Sequence, residues 1–418
     1  MNTVRRDNAV LPAARSNSPQ HSLIINPRLQ EIPPSGIRAF FDLAAGNNDI
    51  ISLGVGEPDF ATPAQVRAAC IRALDRGETG YTSNSGLPEL REEIAGYMQT
   101  GFGLRYDPAD EILVTVGSSE AVDLALRAFM APGDEILIPS PGYVAYAPIA
   151  YLNGGTLAPV ETTAEEGFKL TAEALRKAVT PRTKLLMVNF PSNPTGAVMT
   201  YEDWLPVAEV VKELGLIVIS DEIYAELTYD SKHVSIASLP GMQERTVVIS
   251  GFSKAFAMTG WRVGYACGNR ELLSAMLKIH QYTAMCAPVP GQIAAAEALR
   301  SALPDMERMK ACFKERRSLL VEGLRSAGLS CHMPQGAFYA FASIGRTGLG
   351  SEEFAMRLLQ EAGVAVVPGH VFGAGGEGYI RISYAASTAK LTEALERLED
   401  FMKVTRLHSI AGKNVIVR

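Results

Sequence analysis

The sequence predicts an α/β fold: a large domain with a mostly parallel, seven-stranded-type sheet between helices, followed by a smaller α+β domain. Three observations predict it. Short apolar runs alternate with helical patterns through the middle of the chain. Those runs are apolar at successive positions, as strands buried on both faces are. The last third changes to long helical patterns with only two strand-like runs. At 418 residues the chain also exceeds the usual size of a single core, which points to two domains.

Taken in order, residues 1–31 read as a flexible tail, and residues 32–60 as a segment packing with the small domain. The large domain is expected over 61–300. Within it, 112–116 reads as a strand and 121–130 as a helix. A short buried strand follows at 135–138, then a strand at 185–190 and a helix at 201–214. Thr200 with Asp203 offers a capping box at that helix start. Strands at 216–220, 247–250 and 263–266 complete the set. The small domain is expected over 301–418. The last third carries helical patterns at 292–302, 306–327, 352–362 and 389–404, and strands at 338–341 and 379–384.

Composition excludes several classes. Lys+Arg total 39 and Asp+Glu 45, a formal charge of −6, and no basic block stands out. Nucleic acid is therefore not an expected partner. No run of eighteen apolar residues is present, so no membrane span is expected. The 5 cysteines are odd in number and form no CxxC, which argues for free thiols in a reducing compartment, the cytoplasm. The 6 histidines show no metal-binding spacing, and no metal is expected. Residues 1–22 hold Arg5, Arg6 and Arg15 without an apolar core, so they do not read as a secretory signal.

Four segments carry chemistry. Lys254 follows the apolar run 246–249 and precedes a turn of small residues, with Arg262 eight positions on. A lysine in such a pocket can lose its proton and attack a carbonyl to form a Schiff base. An arginine nearby can hold a phosphate. The bland alternative is a strand-edge lysine and a surface arginine. Asp221 closes the apolar run 216–220, so its carboxylate falls in the crevice where α/β folds bind ligands. An aldehyde that carries a phosphate, as the lysine and arginine together suggest, is pyridoxal 5′-phosphate; Asp221 can keep its ring nitrogen protonated, and Tyr224 can reach its ring hydroxyl. The alternative is an Asp capping a turn. Pro191-Ser192-Asn193-Pro194-Thr195-Gly196 is a rigid turn after a strand, and its Asn193 amide can donate to the same oxygen. Gly117-Ser118-Ser119 opens a helix, where free N–H groups and the positive dipole end attract an anion. Ser118 or Ser119 could equally be a plain cap.

Together these segments resemble the class I/II aminotransferases, the fold type I pyridoxal 5′-phosphate (PLP) enzymes, over about 32–402. The resemblance implies that Lys254 carries the cofactor, Asp221 pairs with the pyridinium, and Tyr224 and Asn193 bind the ring oxygen. Gly117, Ser118, Ser119, Ser253 and Arg262 would hold the phosphate, and Tyr143 would stack on the ring. Tyr81 falls where one subunit reaches over to its partner's phosphate, which implies a homodimer. Arg381 falls where the family binds the substrate α-carboxylate, and Gly56 where the backbone approaches that substrate. One departure is Gly251, where many relatives carry a serine three residues before the lysine.

The implied activity is transfer of an amino group between an L-amino acid and a 2-oxo acid by a ping-pong route. Aspartate or an aromatic amino acid with 2-oxoglutarate is the expected pair. The strings 279–288 and 34–38 look like a subgroup that also includes N-acetyl-diaminopimelate aminotransferases. A PLP-dependent β-lyase would use the same pocket. A non-catalytic PLP-binding sensor would need a DNA-binding module, and the stretch before Ile32 is too short for one.

Overall fold

The computed structural model describes residues 25–34, 36 and 49–413. Most of the expected tail, and the string around Arg38, lie outside these residues. Up to Pro33 the described chain holds one 3-10 turn, Pro27–Gln30, where Asn26 Oδ1 accepts the Arg28 N–H at 3.1 Å. From Pro34 onward the described residues form one compact unit.

Within that unit the strands are β1 (Ile51–Ser52), β2 (Ile112–Thr115), β3 (Glu135–Ser140), β4 (Thr156–Glu161), β5 (Thr183–Asn189), β6 (Ile217–Asp221), β7 (Thr246–Gly251) and β8 (Gly264–Cys267). They are followed by β9 (Ser330–Cys331), β10 (Tyr339–Ser343), β11 (Val364–Ala365), β12 (Val367–Pro368) and β13 (Tyr379–Ser383). A seven-stranded sheet runs in the order β2-β8-β7-β6-β5-β3-β4. Its strands are parallel except β8, which is antiparallel to both β2 and β7. The sheet is buried on both faces, and β5 shows why. Leu185 and Met187 join one apolar cluster with Leu113, Leu124, Ile136 and Ile219. Leu186 and Val188 join another with Leu137, Trp204, Val211 and Val218. Alternate side chains point to opposite faces, so a strand covered twice must be apolar throughout.

The second sheet, β12-β13-β10-β9, is antiparallel. Its core joins Phe338, Ile380 and Ile382 to Phe313, Leu320, Phe354 and Leu391 from three helices, and to Ile51 in β1 and Leu53 just after it. β1 itself pairs with β11.

The helix Tyr201–Leu214 has the expected ends. Thr200 and Asp203 form a reciprocal capping box, and Gly215 closes the helix in the left-handed conformation. Two differences from the sequence expectation stand out. β4 was not expected, because as an edge strand it is mostly exposed and carries no long apolar run. The helix expected at 121–130 begins a turn earlier, as Gly117–Phe129, and its N-cap is Val116. Ser118 and Ser119 therefore lie inside its first turn and do not cap it.

Candidate active site

Strands β5, β6 and β7 are adjacent and parallel, and their carboxyl ends bring three loops together. Asn189 at the end of β5 pairs in register with Asp221 at the end of β6. Its amide donates to the Asp221 carbonyl at 2.9 Å, and its Oδ1 accepts the Asn193 N–H at 3.0 Å. Asn189 thus fixes both the acid strand and the asparagine turn. Asp221 is buried, and its Oδ2 accepts the Tyr146 hydroxyl at 2.7 Å while Oδ1 accepts the Ile223 N–H at 3.2 Å. Burial pushes its carboxyl up to about 6, and the Tyr146 hydroxyl opposes that rise.

Lys254 follows β7 by three residues. Its Nζ donates to the Gly56 carbonyl at 2.5 Å. Burial pulls the amine down to about 8, with the Glu57 carboxylate opposing the shift. A lysine so placed is a far better nucleophile near neutral pH than an exposed one.

The anion cradle lies beside it. Gly117, at φ 74°, turns the chain from β2 into the helix. Glu120 Oε2 accepts the Val116 N–H at 2.5 Å, which leaves the N–H groups of Gly117, Ser118 and Ser119 as the free first-turn donors. Arg262 closes over them: a Cβ on Gly117 would lie 2.5 Å from its Nη2. Its Nη1 donates to the Thr259 carbonyl at 2.8 Å. Three glycines make this approach feasible. Gly251 pairs with Gly264 across β7 and β8, and a Cβ on Gly264 would collide with the Ser118 amide. A Cβ on Gly251 would lie 2.9 Å from the Gly264 Cα. The departure from serine at that position is thus a packing consequence in this chain.

Arg381 enters from β13 in the second sheet. It is only 2% exposed, and no acidic side chain pairs with it among the described residues. Nη1 donates to Asn193 Oδ1 at 2.9 Å and Nη2 to the Gly54 carbonyl at 2.6 Å, while Nε has no partner. Its guanidinium lies 4.4 Å from the Tyr339 ring centre and 5.0 Å from that of Phe372. Burial lowers its pKa. A buried cation with unused donors and no counter-charge is set up to receive an anion.

One cavity of about 300 Å³ joins these parts. Gly56, Ser118, Ser119, Tyr143, Asn193, Asp221, Tyr224, Ser253, Lys254, Arg262 and Arg381 all line it. Gly117 sits just behind, under Arg262. Tyr81 is not brought to this cavity; the residue is 83% exposed and lines a separate groove with Val289, Ile293 and Arg300. Gly56 has a second constraint besides ligand approach, since a Cβ there would strike the Tyr339 hydroxyl. Sequence reasoning missed two tyrosines that line the cavity, Tyr146 and Tyr339. Tyr146 opens the helix Tyr146–Leu152 three residues after Tyr143, and the two rings pack edge to face with centres 5.3 Å apart. Tyr339 sits in a run of aromatic and small residues that reads as plain core.

A ligand that engages all these groups carries a carbonyl for the amine, a basic nitrogen for the acid and a phosphate for the cradle. PLP carries all three, so the residues present fit it. Fold and site define a PLP-dependent enzyme on an α/β scaffold. Residues 48–398 match the family description Aminotransferase class I and II, and the chain belongs to that family of PLP-dependent enzymes and is a transaminase. It is 46% identical over 388 residues to an aspartate aminotransferase of Pyrococcus abyssi, covering 92% of this chain and 100% of that one. It is 44% identical to the aromatic-amino-acid aminotransferase 2 of Thermococcus litoralis, again covering 92% and 100%. The solved aspartate aminotransferase of Thermus thermophilus with maleate superposes with a TM-score of 0.86 at 40% identity, covering 90% of this chain and 99% of that one.

Proposed function

We propose that this transaminase moves the amino group of aspartate or an aromatic amino acid to 2-oxoglutarate in two successive half-reactions. The observation that carries this reading is a pair of cations in one cavity: Lys254, with its amine pulled down to about 8, and Arg381, buried without a counter-charge. An amino acid offers an amine-bearing carbon to the first and a carboxylate to the second. The activities named for the Pyrococcus and Thermococcus relatives support the choice of donor.

Each residue then has a task. Arg381 would hold the α-carboxylate, with Asn193 and the Gly54 carbonyl orienting its fork. PLP, when bound, supplies an aldehyde for the amine and a ring that accepts the electron pair left at Cα. Lys254 Nζ would take the Cα proton, a contribution of roughly 10²–10⁴-fold. Asp221 would keep a proton on the ring nitrogen. Tyr224 and Asn193 would hold the ring oxygen, and Tyr143 would stack on the ring. The amides of Gly117 to Ser119, with Ser253 and Arg262, would hold the phosphate.

We further propose a homodimer in which the exposed Tyr81 completes the partner's phosphate site. Full activity in a sedimenting monomer would overturn this. Segments 61–300 and 301–418 are proposed as the large and small domains, on the strength of their separate sheets. All 5 cysteines are free, which supports a cytoplasmic location.

The test is an absorbance titration of the purified protein with single amino acids. The proposal expects the visible PLP band to give way to the pyridoxamine form with aspartate or an aromatic donor. Release of ammonia or a thiol without amine transfer would instead support a β-lyase. A protein with no visible band after adding PLP would overturn the role of Lys254.

A further inference from the structure

We propose that Tyr339 is a positioning residue that ties the two ends of the site together: its ring braces the Arg381 guanidinium, and its hydroxyl donates to the Tyr224 hydroxyl. The inference rests on the roles assigned above to Arg381 and Tyr224.

Pairing of β10 with β13 sets Tyr339 opposite Ser383 and Phe341 opposite Arg381. Tyr339 and Arg381 are therefore diagonal neighbours on one face of the sheet, within reach of long side chains. The guanidinium lies 4.4 Å from the Tyr339 ring centre, and both residues are almost fully buried. Arg381 has no carboxylate of its own, so the negative ring face is a main source of compensation before substrate arrives. Such contacts strengthen when both groups are desolvated. A fork already held in place also loses less freedom when a carboxylate binds.

The hydroxyl makes the second link. Tyr339 Oη lies 2.9 Å from Tyr224 Oη. One contact between two hydroxyls uses one proton. If Tyr224 donates to the ring oxygen, its lone pair accepts from Tyr339. Linked donors polarise one another, so Tyr339 makes Tyr224 the stronger donor. The space beside Gly56 is taken by this same hydroxyl, which explains why no side chain fits there. The titratable groups acting on Tyr339 are Arg381, Tyr224 and Tyr143.

A filler of the core would have neither effect, and two variants of the holoenzyme separate the cases. The first readout is the pH midpoint of the visible spectral change of bound PLP. The second is the dissociation constant for 3-phenylpropionate and for maleate, carboxylates that cannot transaminate. A donor to the ring oxygen favours its anionic form, so weaker donation raises the midpoint. Tyr339→Phe is expected to raise it by about 0.3–0.5 of a unit and to leave carboxylate binding within about twofold. Tyr339→Leu is expected to raise the midpoint similarly and to weaken carboxylate binding about tenfold. An unchanged midpoint in Tyr339→Phe overturns the hydroxyl link, and this variant keeps the ring's packing if the leucine variant fails to fold. Wild-type carboxylate binding in a folded Tyr339→Leu overturns the brace. A wild type that forms no visible band would overturn the underlying site reading first, and this inference with it.

Discussion

At and beside the ends of β5, β6 and β7, Asp221 accepts the Tyr146 hydroxyl, Lys254 donates to the Gly56 carbonyl, and Arg262 donates to the Thr259 carbonyl. At β13, across the cavity, Arg381 keeps an unpaired Nε and no counter-charge. The first region holds one cofactor through every turnover, so its groups can be preset by neighbours a few residues or one strand away. The second must bind and release a substrate carboxylate. Its cation is left unneutralised, and aromatic rings supply partial compensation. A cation faced by aromatic rings at the exchanging end, and charges of both signs, Lys254 with Asp221 and Glu57, at the resident end, is a sensible division for an enzyme that alternates substrates.

The sharpest break of this contrast is Lys254→Ala. Turnover should fall by at least about 10⁴-fold in a coupled 2-oxo-acid assay, since both covalent attachment and proton transfer are lost. Retained turnover would remove the resident end from the chemistry. At the exchanging end, Arg381→Leu should cost about 10²-fold in kcat/KM while the visible band of bound PLP stays intact. A lost band would show that the two ends are not separable.

Smaller effects sharpen the picture. Gly117→Ala places a Cβ against Arg262 at a positive φ, and should weaken PLP binding roughly tenfold by fluorescence titration. Gly251→Ser would restore the relatives' hydroxyl but push on Gly264, and should destabilise the fold by about 1–3 kcal/mol in denaturant melts. A gain in stability would show that the strand pair can spread. Last, the rate at which apoprotein takes up PLP should rise with pH around a midpoint near 8. Below that value Lys254 is protonated and cannot attack; above it the free amine dominates. A flat rate from pH 6 to 9 would mean that another step limits uptake.

Legibility in the sequence followed how local each feature is. Lys254, Asp221, Asn193 and the Gly117–Ser119 turn each follow an apolar strand directly, so strand and chemistry appear in one string. Arg381 was reached only through family resemblance, because nothing around 379–384 marks an arginine as buried. Tyr146 and Tyr339 were not read as site residues at all. Tyr146 meets Asp221 across 75 residues and Tyr339 meets Tyr224 across 115. β4 escaped notice because exposure on an edge erases the apolar signal.

The sequence by itself determined the alternation that makes a covered parallel sheet, the strand ends that carry the chemistry, and the family. Those follow from side-chain periodicity and from short motifs, which act over a few residues. Only the tertiary structure decided that Gly251, Gly264 and Gly117 pack into one another beneath Arg262, that Tyr146 serves Asp221, and that Arg381 lies buried against Tyr339 without a counter-charge. These depend on which strands become neighbours and in what register, a choice made by the whole core rather than by any local string.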